Sequence, residues 1–285
     1  MGSRCYAPIA LFAFQRPAHF STCWQTLAAN SLSAKTEIYI FCDGPRTKQD
    51  FLGVKKVNQE AQKIKGFKSV KIISQTRNIG LSSSVIHGVT NLLGENQTVI
   101  VVEDDLEVSA YFLDFMNDAL FAYQNHPAAA SVHGYVYPCK ENLPETFFMK
   151  GADCWGWATW RSAWKLFEPD GRRLLLQLRK RELEREFDLG GVAPFTEILK
   201  AQIAGQNDSW AIRWHASAFL AGLHTLYPGR SLVKNTGLDS SGTHCGTSQH
   251  YNSELSRTPI RVETIPVVES EIGRKAFEEF FKAQR

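Results

Sequence analysis

The chain has 285 residues, of which 44% are hydrophobic and 21% charged, a globular composition that excludes a disordered or low-complexity protein. Its 32 basic and 29 acidic residues leave a net charge of +3, which is too balanced for a protein that binds a nucleic-acid backbone. No apolar run reaches the roughly 18–20 residues of a membrane span. Strand-like sequence follows Met1–Arg4 at once, and six cysteines lie far apart, so we expect no signal peptide, reduced thiols and a cytoplasmic location.

The first half of the chain alternates predicted strands and helices. A continuous apolar run predicts a strand at Ile9–Phe14, and largely apolar segments predict further strands at Glu37–Cys42, Val70–Ser74 and Thr98–Val102. Apolar residues recur at helical spacing between them, in helices predicted at His19–Asn30, from Phe51 to Ile64, and at Ser82–Leu93. Strands that are apolar throughout indicate a parallel sheet covered on both faces, so the predicted fold class is α/β. Ligands of such sheets bind beyond the carboxyl ends of the strands.

The second half is less regular. Its predicted elements are strands at Ala128–Tyr135 and Phe147–Lys150, helices at Leu174–Phe187 and Asp208–Leu223, and a long loop at Tyr227–Gly246. Gly151–Trp164 is dense in aromatic and small residues. Because the sequence shows neither an internal repeat nor a linker, we expect the two halves to form one compact body.

Three acids, Glu103, Asp104 and Asp105, directly follow the fourth predicted strand. Their mutual repulsion would be relieved by a hard divalent cation, and carboxylate oxygens suit Mg²⁺ or Mn²⁺. With Ser109 as the expected N-cap of a following helix, the acids would lie on a strand-to-helix bend. The alternative is a solvated acidic loop, which the apolar run of Val99–Val102 directly before the acids disfavours.

The acidic motif VVEDDLEV, followed by SAYF, resembles the metal motif of the Golgi N-acetylglucosaminyltransferases that act on N-glycans. It also resembles bacterial sugar transferases related to glycosyltransferase family 2. The segments FAFQRP, YIFCDG, TRNIGL and FFMKGADCWGWATWRSAW extend the resemblance over roughly Ala7 to Gly246. It implies a GT-A fold, with helices on both faces of a mostly parallel sheet, and an inverting, metal-dependent transfer from a nucleotide sugar, most directly a UDP-sugar.

The resemblance also implies a division of the chain. Residues 5–127 would form the nucleotide-sugar-binding half, residues 128–250 the acceptor-binding and catalytic half of the same GT-A domain, and residues 251–285 a C-terminal extension. The pattern of Glu269–Arg285 is amphipathic. Such a terminal helix docks on its own domain or holds a protein at a membrane surface, here the inner face of the membrane, and the sequence leaves both open.

Donor-side roles follow from the resemblance residue by residue. Asp105 is the implied direct ligand of Mn²⁺ or Mg²⁺, while Glu103 and Asp104 would contact the donor sugar and the ribose. Arg16 would face the nucleotide, and Asp43 would hydrogen-bond the uracil ring.

Further donor contacts are implied around the diphosphate. Asn78, in TRNIGL, would lie on the donor side. In the late loop that would cover the donor, Thr243 is an implied donor contact and His244 a further metal ligand or phosphate contact. A histidine in such a loop is equally often exposed to solvent.

The acceptor side should supply a base, because an inverting transfer deprotonates the acceptor hydroxyl. Asp208 matches the acid of an Asp-x-Trp segment with this role in the family, although it would also serve as the N-cap of the helix that follows. Asp153 could hold a sugar hydroxyl. Trp155 and Trp157 could stack on a sugar, although core packing is the commoner role of a single tryptophan.

The predicted function is therefore a glycosyltransferase with a glycan or lipid-linked glycan acceptor, in the synthesis of a bacterial surface polysaccharide. Two alternatives remain open. A metal-dependent nucleotidyltransferase would also place acids at strand ends. A sugar-binding module without catalysis would be a degenerate relative that no longer needs a base.

Overall fold

A computed structural model describes residues 5–239 and 250–284 of the chain. Its first half alternates strands and helices as predicted, with small shifts at the ends. The elements are β1 (Ile9–Ala13), α1 (Pro17–Ala28), β2 (Glu37–Cys42), α2 (Phe51–Ala61), β3 (Ser69–Ser74), α3 (Leu81–Glu95) and β4 (Thr98–Glu103).

The remaining elements follow from residue 106 onward. They are β5 (Leu106–Val108), α4 (Phe112–Ala122), β6 (Ala129–His133), β7 (Thr146–Lys150), β8 (Trp157–Trp160), α5 (Arg161–Trp164), α6 (Gly171–Lys180), α7 (Glu184–Phe187), α8 (Phe195–Ile203), α9 (Trp210–Leu220), β9 (His224–Pro228), β10 (Val233–Asn235) and α10 (Glu271–Lys282).

The described elements build one 8-stranded sheet in the order β3-β2-β1-β4-β8-β6-β9-β7. Strands β1 to β4 are mutually parallel, and β6 pairs in parallel with β9. Only β7 and β8 of this sheet run against the others. The predicted α/β class with a mostly parallel central sheet is confirmed.

Helices cover both faces of the sheet because successive side chains of each strand point to opposite sides. Leu11 packs with Phe20 and Leu27 of α1 in one hydrophobic cluster. Its neighbour Phe12 packs with Val85 and Val89 of α3 in a second cluster. The aromatic-rich stretch contributes Trp157 and Trp164 to this second layer, together with Trp210 and Trp214 of α9.

The turn that carries the acids differs from the predicted strand-to-helix bend. Asp104 and Asp105 form a turn between β4 and β5, and β5 pairs antiparallel with β10. The N-cap of α4 is Tyr111 and not Ser109. The Ser109 hydroxyl instead donates to the carbonyl oxygen of Ser256, at 2.7 Å. A sequence pattern could not reveal β5, because this three-residue strand exists only through its partner β10.

The C-terminal helix α10 docks on its own domain. Phe277 and Phe281 are buried, and both contact the ring of Tyr137, at centroid distances of 4.8 and 5.3 Å. Of the two possibilities for this amphipathic segment, the structure therefore shows the intramolecular one. In the described part of the chain, no helix combines the length and the apolarity needed to span a bilayer.

Candidate active site at the carboxyl ends of the strands

A cavity of about 590 Å³ opens at the carboxyl ends of β1, β2 and β4. The loops before α3 and α9 and the segment before β8 complete its walls. Eight of the predicted site residues line it: Arg16, Asp43, Asn78, Glu103, Asp104, Asp105, Trp155 and Asp208. Side chains that are up to 192 positions apart in the sequence, from Arg16 to Asp208, therefore meet in one place.

Arg16 forms a salt bridge with two of the three acids. Its Nη2 lies 2.6 Å from Oδ1 of Asp104 and 2.8 Å from Oδ2 of Asp105. The backbone N–H of Phe14 donates to the other oxygen of Asp104, at 3.2 Å. The Nη1 of Arg16 is buried and donates to no acceptor among the described residues. Arg16 thus acts as the internal counter-ion of the acidic turn.

Burial and mutual repulsion perturb the protonation of these acids. Burial, reinforced by Asp105 and Asp104, raises the pKa of Glu103 to about 8. Burial also raises the pKa of Asp104, although Arg16 opposes the shift. Burial alone would lower the pKa of Arg16, but the two aspartates outweigh it and hold the guanidinium protonated. With a pKa of about 8, Glu103 is largely protonated at neutral pH, so the negative charge that Arg16 opposes lies on the other acids of the turn.

The segment after β10 lies directly on the acidic turn. The backbone N–H and the hydroxyl of Thr236 both donate to the carbonyl oxygen of Asp105, each at 2.8 Å. A Cβ atom at Gly237 would collide with the Asp105 carboxylate and lie 2.9 Å from Nη1 of Arg16. Only glycine permits this approach. The predicted loop over the donor therefore begins against Asp105, whereas Thr243 and His244 lie outside the described residues.

The acidic turn fits a magnesium-type ion in its donor chemistry. Carboxylate oxygens are hard ligands, and Mg²⁺ is commonly held by one or two carboxylates together with substrate phosphates and water. Within residues 5–239 and 250–284, no three His, Cys, Asp or Glu side chains form a group that could hold a metal on their own. The described residues therefore do not form a complete metal site, and the role of Asp105 as a direct metal ligand stays a prediction.

Asp43 holds the loop before α3 rather than facing the cavity with a free carboxylate. Its Oδ1 accepts from the backbone N–H groups of Gly44 and Ile79, at 2.8 and 2.9 Å. Its Oδ2 accepts from Nδ2 of Asn78 and the N–H of Gly80, at 2.8 and 3.0 Å. These four bonds occupy the acceptor sites of the carboxylate. Asp43 therefore has no free acceptor site in this arrangement for the implied hydrogen bond from a uracil N–H, because its oxygens already accept from Gly44, Asn78, Ile79 and Gly80.

Asp208 lies at the cavity without acting as the helix cap. The N-cap of α9 is Ser209, whose hydroxyl accepts from the N–H of Ile212 at 3.2 Å. Asp208 keeps 60% of its side chain exposed, and its Oδ1 lies 3.6 Å from Nη2 of Arg213. The structural alternative for Asp208, that it serves as the N-cap, is thus removed. The helix is capped one residue later than predicted. Serine and aspartate are nearly equivalent N-cap residues, so the sequence could not distinguish Asp208 from Ser209.

Arg213 was not anticipated from the sequence. It is 7% exposed, and its guanidinium donates to the carbonyl oxygens of Ser209 and Pro169, both at 3.1 Å. Its Nη2 also donates to the hydroxyl of Ser82, in the first turn of α3. Arg213 therefore ties the start of α9 to the start of α3. The sequence feature that could have indicated this role is an arginine within the otherwise mostly apolar pattern of α9.

The aromatic stretch separates into one cavity residue and one core residue. Trp155 lines the cavity and packs edge-on against Tyr135, at 4.7 Å between ring centroids. Trp157 is 0% exposed in β8 and stacks on Trp210 at 5.3 Å. The predicted acceptor contact of Trp157 is therefore corrected, because a fully buried ring cannot contact a sugar.

Asp153 is engaged by the protein itself. Its Oδ2 accepts from the hydroxyls of Tyr137 and Tyr227, both at 3.2 Å, and its Oδ1 from the N–H of Cys154 at 2.8 Å. It is not among the residues that line the cavity. This carboxylate therefore positions the segment that carries Cys154 and Trp155, and its contact with a sugar hydroxyl stays a prediction.

No protein-family model matches the chain, and no curated protein has a matching sequence. Among solved structures it is similar to the mannosyltransferase PcManGT from Pyrobaculum calidifontis, determined with GDP-Man and Mn²⁺. The identity is 13% and the TM-score 0.34, over 46% of this chain and 36% of that one. It is also similar to S. aureus TarS 1–349, at 9% identity and TM-score 0.33, over 61% of this chain and 49% of that one. The chain thus spans less than half the length of either structure, and a likeness of this degree assigns no activity.

Proposed function

We propose that the protein is a metal-dependent, inverting glycosyltransferase that moves a sugar from a nucleotide sugar, in the first instance a UDP-sugar, to a glycan or lipid-linked glycan. Synthesis of a bacterial surface polysaccharide is the setting that we infer. The resemblance of the acidic motif to the Golgi N-acetylglucosaminyltransferases and their bacterial relatives supports this proposal but stays a prediction.

The observation that carries the proposal is the convergence of opposite charges on one cavity. Three acids, the Arg16 guanidinium and the exposed carboxylate of Asp208 all line it. An acidic turn that can bind a cation would suit a donor that carries a diphosphate. A separate acid would suit an acceptor that carries a hydroxyl. The position beyond the carboxyl ends of parallel strands is where α/β sheets bind such ligands.

On the donor side, Asp105 would hold Mn²⁺ or Mg²⁺. When bound, this ion would neutralise the charge that develops on the leaving diphosphate. Arg16 would then exchange one of its aspartate partners for phosphate oxygen, which a guanidinium binds well in planar geometry. Its Nη1, which is buried and has no acceptor among the described residues, would be a further donor for that exchange.

On the acceptor side, Asp208 would accept the proton of the attacking hydroxyl. Its carboxylate is accessible and lies just before α9. It is close to the loop that precedes α3, since a Cβ atom at Gly80 would be 3.7 Å from Oδ2 of Asp208. Arg213 would keep the carboxylate turned to this position. Trp155 at the cavity wall offers a flat apolar surface for a sugar ring.

The decisive experiment is thermal shift with UDP- and GDP-sugars, each with Mn²⁺ or with EDTA. A specific donor at about 100 times its dissociation constant adds about 2.7 kcal/mol to the unfolding free energy. We expect this stabilisation with Mn²⁺ only, followed by release of free nucleoside diphosphate when an acceptor is supplied.

Two outcomes would favour the alternatives. Release of pyrophosphate from UTP, without turnover of a nucleotide sugar, would indicate a nucleotidyltransferase. Nucleotide binding that is no tighter with Mn²⁺ than with EDTA, together with retained sugar binding, would indicate a sugar-binding module.

A further inference from the structure

Helix α2 exposes two adjacent apolar side chains in its first turn. Phe51 and Leu52 each expose 61% of their surface. The opposite face of the helix is occupied by Val54, Val57 and Ala61, which are buried against the domain. The exposure of Phe51 and Leu52 is therefore not a consequence of a poorly packed helix.

Basic residues surround this apolar pair. Arg46 and Lys48 precede it in the loop, while Lys55 and Lys56 lie one turn further along α2, and all four are exposed. With 3.6 residues per turn, positions 51, 52, 55 and 56 fall on the same side of the helix. The six residues Arg46, Lys48, Phe51, Leu52, Lys55 and Lys56 form a continuous surface, which we call the α2 patch.

The positive charge of the α2 patch is largely uncompensated. The one acid within residues 45–56 is Asp50, which is buried and whose Oδ2 accepts from the N–H groups of Arg46 and Thr47, at 3.0 and 2.9 Å. It also pairs with the Arg46 side chain at 3.6 Å. Lys48, Lys55 and Lys56 form no ion pair with any residue in the described ranges.

The patch adjoins the candidate active site. A Cβ atom at Gly53 would lie 2.5 Å from the carbonyl oxygen of Gln15, so α2 sits directly on the loop after β1. Gln15 and Arg46 both line the active-site cavity. A surface bound to the α2 patch would therefore lie beside the mouth of that cavity.

We propose that the α2 patch binds the protein to an anionic lipid surface. Protruding apolar side chains among exposed cations match the interface of such a bilayer, where rings and aliphatic chains enter the headgroup region and lysines meet anionic lipid. Self-association through this patch is opposed by its own charge, and the net charge of +3 does not favour a nucleic acid. The C-terminal helix buries Ala276, Phe277 and Phe281 against its own domain and exposes one large apolar side chain, Ile272, by 53%, so it offers less apolar surface than the paired Phe51 and Leu52.

The consequence for activity rests on the proposed function. A glycosyltransferase held in this orientation would present its cavity next to a lipid-linked acceptor. Membrane binding itself needs no turnover, so it can be tested independently of that function.

The test is co-sedimentation of the full chain with vesicles of phosphatidylcholine alone or mixed with phosphatidylglycerol. We expect binding to the mixed vesicles only, with release at high salt. Lys55→Gln/Lys56→Gln should weaken partitioning by about 30-fold, since each basic residue near an anionic surface contributes about 1 kcal/mol. Phe51→Ser/Leu52→Ser should weaken it by about tenfold or more.

A matched control lies on α6. Leu176 is 66% exposed and also lies among arginines, but Arg173 pairs with Glu168 at 3.5 Å and Arg179 with Glu184 at 3.3 Å. Leu176→Ser/Arg173→Gln should therefore leave vesicle binding unchanged. Turnover of a water-soluble acceptor should be unaffected in all of these variants, whose residues do not line the cavity.

Several results would overturn the proposal. These are wild-type protein that stays in the supernatant with mixed vesicles, equal binding to neutral vesicles, α2 variants that sediment like wild type, or an α6 control that loses binding equally. Retention on a soluble acidic polysaccharide without vesicle binding would also overturn it, in favour of a glycan partner.

Discussion

At the scale of single residues, the two acids with predicted chemistry occupy different environments. Asp105 lies in a crowded turn under Gly237 and pairs with Arg16 at 2.8 Å. Asp208 is 60% exposed in its side chain and has no capping duty. Their substitution should therefore have separable consequences.

Asp208→Asn should lower sugar transfer by roughly 100-fold or more, the usual contribution of a general base, and leave nucleotide affinity nearly unchanged. Because Ser209 caps α9, thermal stability should not move. Steady-state kinetics measures the transfer rate, and a thermal melt measures the stability. Ser209→Ala is the matched control: it should lower stability by about 1 kcal/mol. A folded Asn variant with near wild-type transfer would rule out Asp208 as the base.

Arg16 should compete with a metal for the acidic turn. Hydrogen bonds to charged groups contribute about 1.5–3 kcal/mol, so Arg16→Gln should tighten Mn²⁺ binding by about tenfold in the absence of nucleotide. Titration calorimetry measures this directly. Asp105→Ala should instead abolish metal-assisted nucleotide binding. If Arg16→Gln left Mn²⁺ affinity unchanged or weakened it, the internal counter-ion would not be in competition with the metal.

At the scale of elements, Asp43 joins the end of β2 to the start of α3. It is 6% exposed and accepts from three backbone N–H groups and from Asn78. The three N–H groups would lose this acceptor if the carboxylate were removed, whereas Nδ2 of Asn78 would keep its second acceptor, the carbonyl oxygen of Gly44, at 2.9 Å. Asp43 therefore supplies most, but not all, of the hydrogen bonds that join the loop carrying Asn78 and Gly80 to the end of β2.

Asp43→Ala should lower the free energy of unfolding by about 2–4 kcal/mol, because buried donors without acceptors each cost about 1–3 kcal/mol. Urea denaturation at fixed pH is the appropriate measurement. The control is Glu263→Ala, whose side chain is 64% exposed and pairs only with Arg261 at 3.5 Å. It should change stability by less than about 0.5 kcal/mol. Equal losses in the two variants would contradict the role assigned to Asp43.

At the scale of the whole molecule, buried histidine makes stability depend on pH. His133 is 0% exposed, and its Nε2 accepts from the N–H of Trp155 at 3.0 Å. Burial lowers the pKa of His133, an effect that Asp153 only partly opposes. Below about pH 6.5 the unfolded chain therefore binds a proton that the native state does not bind.

Unfolding free energy should consequently fall as the pH drops below about 6.5, by up to about 1.4 kcal/mol per pH unit from His133. His133→Asn should be less stable at neutral pH yet show a flatter decline toward pH 5. His87→Asn, at an exposed position on α3, serves as the control and should keep the wild-type slope. An unchanged slope in His133→Asn would assign the acid sensitivity to other groups.

The sequence alone was sufficient for the features that depend on local patterns. Runs such as TVIVV identify buried strands because each of their side chains must leave water. Polar residues directly after those runs, namely Arg16, Asp43 and Glu103–Asp105, had to meet at one edge once the strands were parallel. The α/β class and the place of the cavity follow from these two facts.

Only the tertiary structure decided which of these residues have free functional groups. Arg16 and Asp104 are 88 positions apart, and Asp43 and Gly80 are 37 apart, so no local pattern records their bonds. Trp155 and Trp157 look equivalent in the sequence, but pairing of β8 with β4 and β6 buries Trp157 and leaves Trp155 at the cavity. Periodicity reports only whether a side chain is buried. The partner that a buried or half-buried polar group finds depends on the register of the sheet and on the loops that close over it.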